Sequence, residues 1–176
     1  MRDLLAHYPG AKRVLFRRYH LGGCSSCGFD LEETLEQLCK RSGGLEAQQV
    51  LKEIEEGHRE DEEMLLDPLL LREKLHDTSV VNIRLLDLRT REEFEAVHIP
   101  TSQLLTQELM QETMADWLKT DLLILIDHQG ERSLDAAAYF AGHGFKNVKA
   151  LRGGIDAYAE KADHSLPRYT IEKENS

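Results

Sequence analysis

Apolar and polar positions change their period near the middle of the chain, and the two halves predict different architectures. Over the first 57 residues apolar side chains recur at helical spacing. Residues 11–19 predict a helix behind Pro9-Gly10, basic through Lys12, Arg13, Arg17 and Arg18. Asp30 is a candidate N-cap with Glu33 at the capping-box position, and Leu31, Leu35 and Leu38 share one face of the helix behind it. Gly43-Gly44 stops that helix. Ala47, Val50, Leu51 and Ile54 repeat the amphipathic spacing in a further one. The sum is a small all-α three-helix module over residues 1–57, with a core small enough that a metal or partner contact would help hold it.

The run GHREDEE from Gly57 is polar and acidic. It predicts a solvated linker over residues 58–66 or a fraying helix end. Asp67-Pro68 then forms an N-cap and N1 pair for a helix reaching about His76. From Asn82 strands and helices alternate. Strands are expected at 83–88, 103–105, 122–126 and 148–151, and helices at 91–96, 107–118, 134–142 and 155–161. Residues 122–126 are continuously apolar, as a strand covered on both faces should be. The alternation predicts an α/β domain over residues 67–170, a parallel sheet flanked by helices, ahead of a charged tail at 171–176. Its crevice should lie at the carboxyl ends of the strands, where the turn after residue 126 falls.

Charge and composition narrow the function. The chain has 176 residues, 41% of them hydrophobic, and a net charge of −10. That balance argues against nonspecific nucleic-acid binding and against docking on anionic lipid. No apolar run is long enough to span a bilayer, and Arg2, Asp3 and His7 interrupt any secretory leader, so a cytoplasmic protein is expected. Its three cysteines, Cys24, Cys27 and Cys39, are odd in number and close together. They suit thiol redox or metal chemistry better than a disulfide framework.

Two motifs carry the candidate chemistry. LLDLRTREEFEAVHIP, from Leu85 to Pro100, resembles the first signature of rhodanese domains, a family of sulfurtransferases. HQGERSLDAAAYFAGHGFKNVKALRGGIDAY resembles the remainder, with Arg132-Ser133, Gly144-Phe145, Val148 and Gly153-Gly154 in the expected places. The resemblance spans residues 64–170. It implies a cysteine at a strand end that holds sulfane sulfur as a persulfide, within a loop of backbone N–H groups opening onto a helix N-terminus. The matching loop is Asp127, His128, Gln129, Gly130, Glu131 and Arg132, and Asp127 stands at the cysteine's position. A carboxylate cannot carry a persulfide, and all three cysteines lie before residue 40, so thiosulfate sulfurtransfer by the family's route is not expected. Asp127 reads as filling the anion cradle from within, by accepting loop N–H bonds or pairing with Arg132. It reads otherwise as a cap of the next turn, or as a general base with His128. The resemblance also makes Asp87 and Arg89 a salt link tying the sheet end to the loop. It departs at Thr101-Ser102, where the family commonly has Gly-Ala, and at Tyr158, often Trp.

The second motif is Cys24-Ser25-Ser26-Cys27, near the cations Arg17, Arg18 and His20. His20, Cys24, Cys27 and Cys39 together offer four soft ligands, although Cys39 also reads as a core residue and His20 as a turn histidine. The surrounding segment from Tyr8 resembles a small helical CxxC domain of unknown function and, more distantly, the N-terminal domain of iron–sulfur-cluster repair proteins. The resemblance implies a redox role, with an iron–sulfur cluster or zinc as the candidate cofactor. Three readings result. One is a degenerate rhodanese-like module that binds or regulates a protein partner in sulfur or redox metabolism. Another is a sulfur carrier or thiol-redox enzyme using Cys24 and Cys27. The last is an iron–sulfur or zinc sensor.

Overall fold

The structure, a computed structural model, describes residues 1–22, 28–77 and 82–170. The chain divides into two units, Met1–Glu63 and Met64–Ser176. Four helices are described in the first: α1 (Arg2–His7), α2 (Ala11–Tyr19), α3 (Leu35–Arg41) and α4 (Ala47–Met64). Leu15, Leu38, Val50 and Ile54 form its core, each at most 1% exposed.

Three expectations for this unit need correction. A short helix, α1, precedes the three expected. The helix expected behind Asp30, α3, starts four residues late, because Thr34 and Gln37 make the reciprocal capping box. Asp30 instead closes a turn with Glu33, and Leu31 is left 46% exposed outside the helix. Finally, residues 58–66 are not a linker: they continue the helix to Met64, the helix-end alternative, and then form a strand. The buried stripe of α4 continues from Ile54 to Gly57 and Asp61, which keep the helical spacing without being large apolar residues. Gly57 sits against Val14, where a Cβ would come within 2.5 Å of a methyl, and Asp61 pairs with Arg13.

The second unit holds β1 (Leu65–Leu66), α5 (Pro68–His76), β2 (Ile83–Asp87), α6 (Arg91–Ala96), β3 (Gln103–Leu104), α7 (Gln107–Asp116), β4 (Leu122–Ile126), α8 (Arg132–Gly142), β5 (Asn147–Leu151) and α9 (Gly154–Lys161). They build a five-stranded sheet of order β1-β5-β4-β2-β3, and every pairing is parallel. β4 is central, and its apolar residues divide between two faces. Ile124 and Ile126 enter one cluster with Leu71 and Tyr158, whereas Leu123 and Leu125 enter the other with Leu134 and Phe140. This period of two is what a strand sandwiched between helices requires. Each such side chain contributes roughly 1.5–3 kcal/mol on burial. α5 starts as expected, with the Asp67 carboxylate accepting from the Leu69 N–H and Pro68 in the first turn.

Thr101 has a φ of +74°, in the left-handed region that a β-branched residue disfavours. The turn that imposes it is closed by the Ser102 N–H and hydroxyl, which both donate to the Ile99 carbonyl, at 3.0 and 2.7 Å.

Candidate functional site

In the register of the sheet Asp87, at the end of β2, lies beside Ile126, at the end of β4. The Leu88 N–H extends the pairing by donating to the Ile126 carbonyl at 2.8 Å. The chain then leaves β4 at Asp127, turns through residues 128–131, and enters α8 at Arg132. The strand end therefore faces a helix N-terminus, whose free N–H groups need an acceptor.

That acceptor is Asp127. It is 3% exposed, and its carboxylate accepts from the N–H groups of Gly130 at 2.6 Å, Arg132 at 2.7 Å and Ser133 at 3.3 Å. Filling the cradle and capping the next turn, separate alternatives in the sequence, describe the same three contacts. Arg132 meets Asp127 through its backbone; its exposed guanidinium makes no hydrogen bond or ion pair among the described residues.

Glycines lock the loop to the turn behind β5. Gly130 has a φ of +88°, and a Cβ there would lie 2.8 Å from the Gly153 nitrogen. Gly154, at +62°, approaches so closely that its Cβ would fall 2.4 Å from the His128 carbonyl oxygen. The close approach lets the Ile155 and Asp156 N–H groups donate to the Asp127 and His128 carbonyls at 2.9 and 3.1 Å.

Next to the loop, Arg89 makes a buried two-pronged ion pair with Asp87, at 2.9 and 2.7 Å. It also donates to the Val97 carbonyl at 2.7 Å and to the Tyr169 hydroxyl at 2.8 Å. Burial works against its charge, but the bonds to Asp87 and Tyr169 outweigh it and Arg89 is held above its ordinary pKa. Arg89 and the loop border a cleft of about 330 Å³ lined by Arg89, Glu93, Asp127, His128, Gln129, Glu131, Arg132 and Thr170.

Residues 67–161, more than half of the chain, match the model of the rhodanese-like domain. The chain belongs to the rhodanese-like family. A sulfurtransferase of Allochromatium vinosum is 33% identical over 102 residues, covering 58% of this chain and 91% of its own length. The adenylyltransferase and sulfurtransferase UBA4 of Candida albicans is 28% identical over 107 residues, 54% of this chain; the match spans only 24% of that protein. Among solved structures, the BH2092 protein of Bacillus halodurans superimposes with a TM-score of 0.54 at 22% identity, covering 69% of this chain and 95% of that one. It shares the fold.

The rhodanese-like unit has one feature beside its loop that no motif announced. Tyr169 stacks on His128, ring centres 4.5 Å apart and planes 19° from parallel, and its carbonyl faces His128 Nε2 at 3.1 Å. Its hydroxyl donates to Glu93 at 2.8 Å. Burial first, and then the bond to Glu93, push the Tyr169 phenol up to about 12 against the opposing effect of Arg89. Glu93 is held low, because bonds from Thr90 and Tyr169 overcome its own burial. A tyrosine fifteen places past Gly154, in a segment without periodicity, leaves no sequence signal.

In the N-terminal unit His20 is exposed at the end of α2, with a φ of 55°. Cys39 is 1% exposed inside the helical core, and burial pushes its thiol up. Cys24 and Cys27 lie outside the described residues. Among the described residues no helix is long and apolar enough to cross a membrane.

Proposed function

We propose that the rhodanese-like unit is a binding or regulatory module of sulfur or redox metabolism that has lost the family's persulfide chemistry. The observation that carries this reading is the Asp127 carboxylate, at the position the family motif gives to cysteine, accepting three N–H groups of its own loop. In the family a transient anion occupies such a cradle. Here a permanent one does, and it has no sulfur to accept or pass on. What remains for recognition is the rim of the cleft: His128, Gln129, Glu131 and the exposed Arg132 guanidinium. A protein partner that docks there fits a loop held rigid from within.

The test is transfer of sulfur from thiosulfate to cyanide. The wild-type chain should form no thiocyanate, and Asp127→Cys should gain the activity because the backbone frame is retained. Thiocyanate formed by the wild type and lost in Asp127→Ala would defeat the proposal.

A second reading concerns the N-terminal unit and rests on Cys39. Enclosed in the core with its thiol pushed up, Cys39 is a poor nucleophile, so thiol chemistry falls to Cys24 and Cys27. In this reading the pair carries sulfur, exchanges disulfides, or holds iron–sulfur or zinc with a further ligand such as His20. Cyanide-releasable sulfur that disappears in Cys24→Ser would support the carrier. An anaerobic visible spectrum with metal analysis separates it from the metal protein, which would contain stoichiometric iron or zinc.

A further inference from the structure

We propose that residues 166–170, LPRYT, are a strap that gates the cleft over the Asp127 loop. The inference rests on the reading of that cleft as a recognition site and names how access to it is controlled. The strap has an anchor, a latch and a plug. Leu166 packs against the core of the rhodanese-like unit. Arg168 is the latch: its guanidinium spans Asp156 at 2.7 and 2.9 Å and reaches Glu160 at 2.9 Å, both on α9. Tyr169 is the plug, stacked on His128 and bonded at its hydroxyl to Arg89 and Glu93.

The placement matters because a second cleft, of about 490 Å³, lies on the far side of the strap and is lined by Gln129, Asp156, Arg168, Tyr169 and Thr170. Gln129 and Thr170 line both clefts, so the strap is the partition between them. Released, it leaves one continuous groove from the Arg89 side of the loop to the α9 carboxylates. The two holds differ in strength. The Tyr169 contacts are half-buried, whereas Arg168 is 49% exposed and its ion pairs are open to solvent and salt. Opening therefore begins at the latch, and a ligand that competes for Arg168 or for the α9 carboxylates opens the groove.

The experiment uses the full chain in a Cys24→Ser/Cys27→Ser background carrying Asp127→Cys, with or without Arg168→Glu. The charge reversal sets the latch against Asp156 and Glu160. Iodoacetamide labelling of the loop thiol, mapped by mass spectrometry, should be about threefold to fivefold faster with Arg168→Glu, the factor expected for losing solvent-exposed ion pairs. Equal rates would overturn the gate. Should Asp127→Cys not fold, carbethoxylation of His128 by diethyl pyrocarbonate in chains that keep Asp127 takes its place. His128 should react several-fold faster with Arg168→Glu than in the wild type, about the same factor. Equal reactivity again overturns the gate. Neither readout depends on sulfur transfer: thiocyanate formation tests the lost chemistry, and the labelling ratio tests the strap.

Discussion

Replacing Asp127 by alanine removes one acceptor group from beneath three donors. Two of the bonds are short, at 2.6 and 2.7 Å, and the third, at 3.3 Å, contributes little. A hydrogen bond to a charged group is worth about 1.5–3 kcal/mol, so the two short bonds set a ceiling of about 3–6 kcal/mol. Water entering from the adjoining cleft recovers part of this, and the variant no longer buries a charge. The expected loss is about 2 kcal/mol. Trp117, the single tryptophan of the chain, lies in the core of the rhodanese-like unit and reports its unfolding by fluorescence. At a urea slope of about 1–2 kcal/mol/M the midpoint should fall by about 1–2 M. Asp127→Asn should lose nearly as much, since its NH₂ group must face a backbone N–H. Sulfate provides a second arm. It stabilises proteins in general, but it should raise the midpoint of Asp127→Ala more than that of the wild type by entering the vacated cradle. An unchanged midpoint in the alanine variant, or equal gains from sulfate, would refute the account of the loop.

Four further outcomes follow from the geometry. Gly154→Ala should destabilise the unit by about 2–4 kcal/mol in the same urea assay, because its Cβ would strike backbone oxygens at a positive φ. Gly144→Ala, also at positive φ but facing open space, should lose less. Thr101→Gly should gain about 0.5–1 kcal/mol by relieving the strain at φ +74°, net of the extra freedom glycine has when unfolded. Arg89→Met should lose about 3–5 kcal/mol by leaving Asp87 charged and unpaired in the core, and Asp87→Leu in the same chain should restore part of it. In a difference titration at 295 nm against Tyr169→Phe, Tyr169 should ionise at about 12 and not at 10. Because the folded pKa is the raised one, the stability it contributes is intact below pH 10 and disappears between 10 and about 12. The Tyr169→Phe chain should have a flatter stability profile there.

The α/β sheet was legible because its signals are strong and local. Residues 122–126 admit few structures other than a buried strand, and the Asp67-Pro68 pair fixes the start of α5 by chemistry alone. What escaped has two physical causes. A buried helix face need not be apolar: Gly57 and Asp61 are buried by close approach and by an ion pair, so an acidic run that looks solvated is the last third of α4. Capping also competes: Asp30 and Thr34 both offer a box, and only packing, which buries Leu38 and Cys39 but not Leu31, decides between them. At the site, the loop residues could be named from the motif, and the donors Asp127 would meet could be anticipated. Tyr169 could not, since its contacts with Arg89 and His128 join positions 80 and 41 residues away in sequence.

The two-residue strand β1 has a practical consequence for anyone shortening this protein. The family match begins at residue 67, and a chain cut there looks like a complete domain. It would lack Leu65 and Leu66, which pair with Ala150 and Leu151, and the Leu66 carbonyl that accepts from the Arg152 N–H. β5 would then become an open margin of the sheet, its N–H and carbonyl groups free to template a neighbour. Such a fragment should self-associate as concentration rises, while one beginning at Met64 should not. Two leucines that belong to no recognisable motif thus decide whether the isolated unit stays in solution.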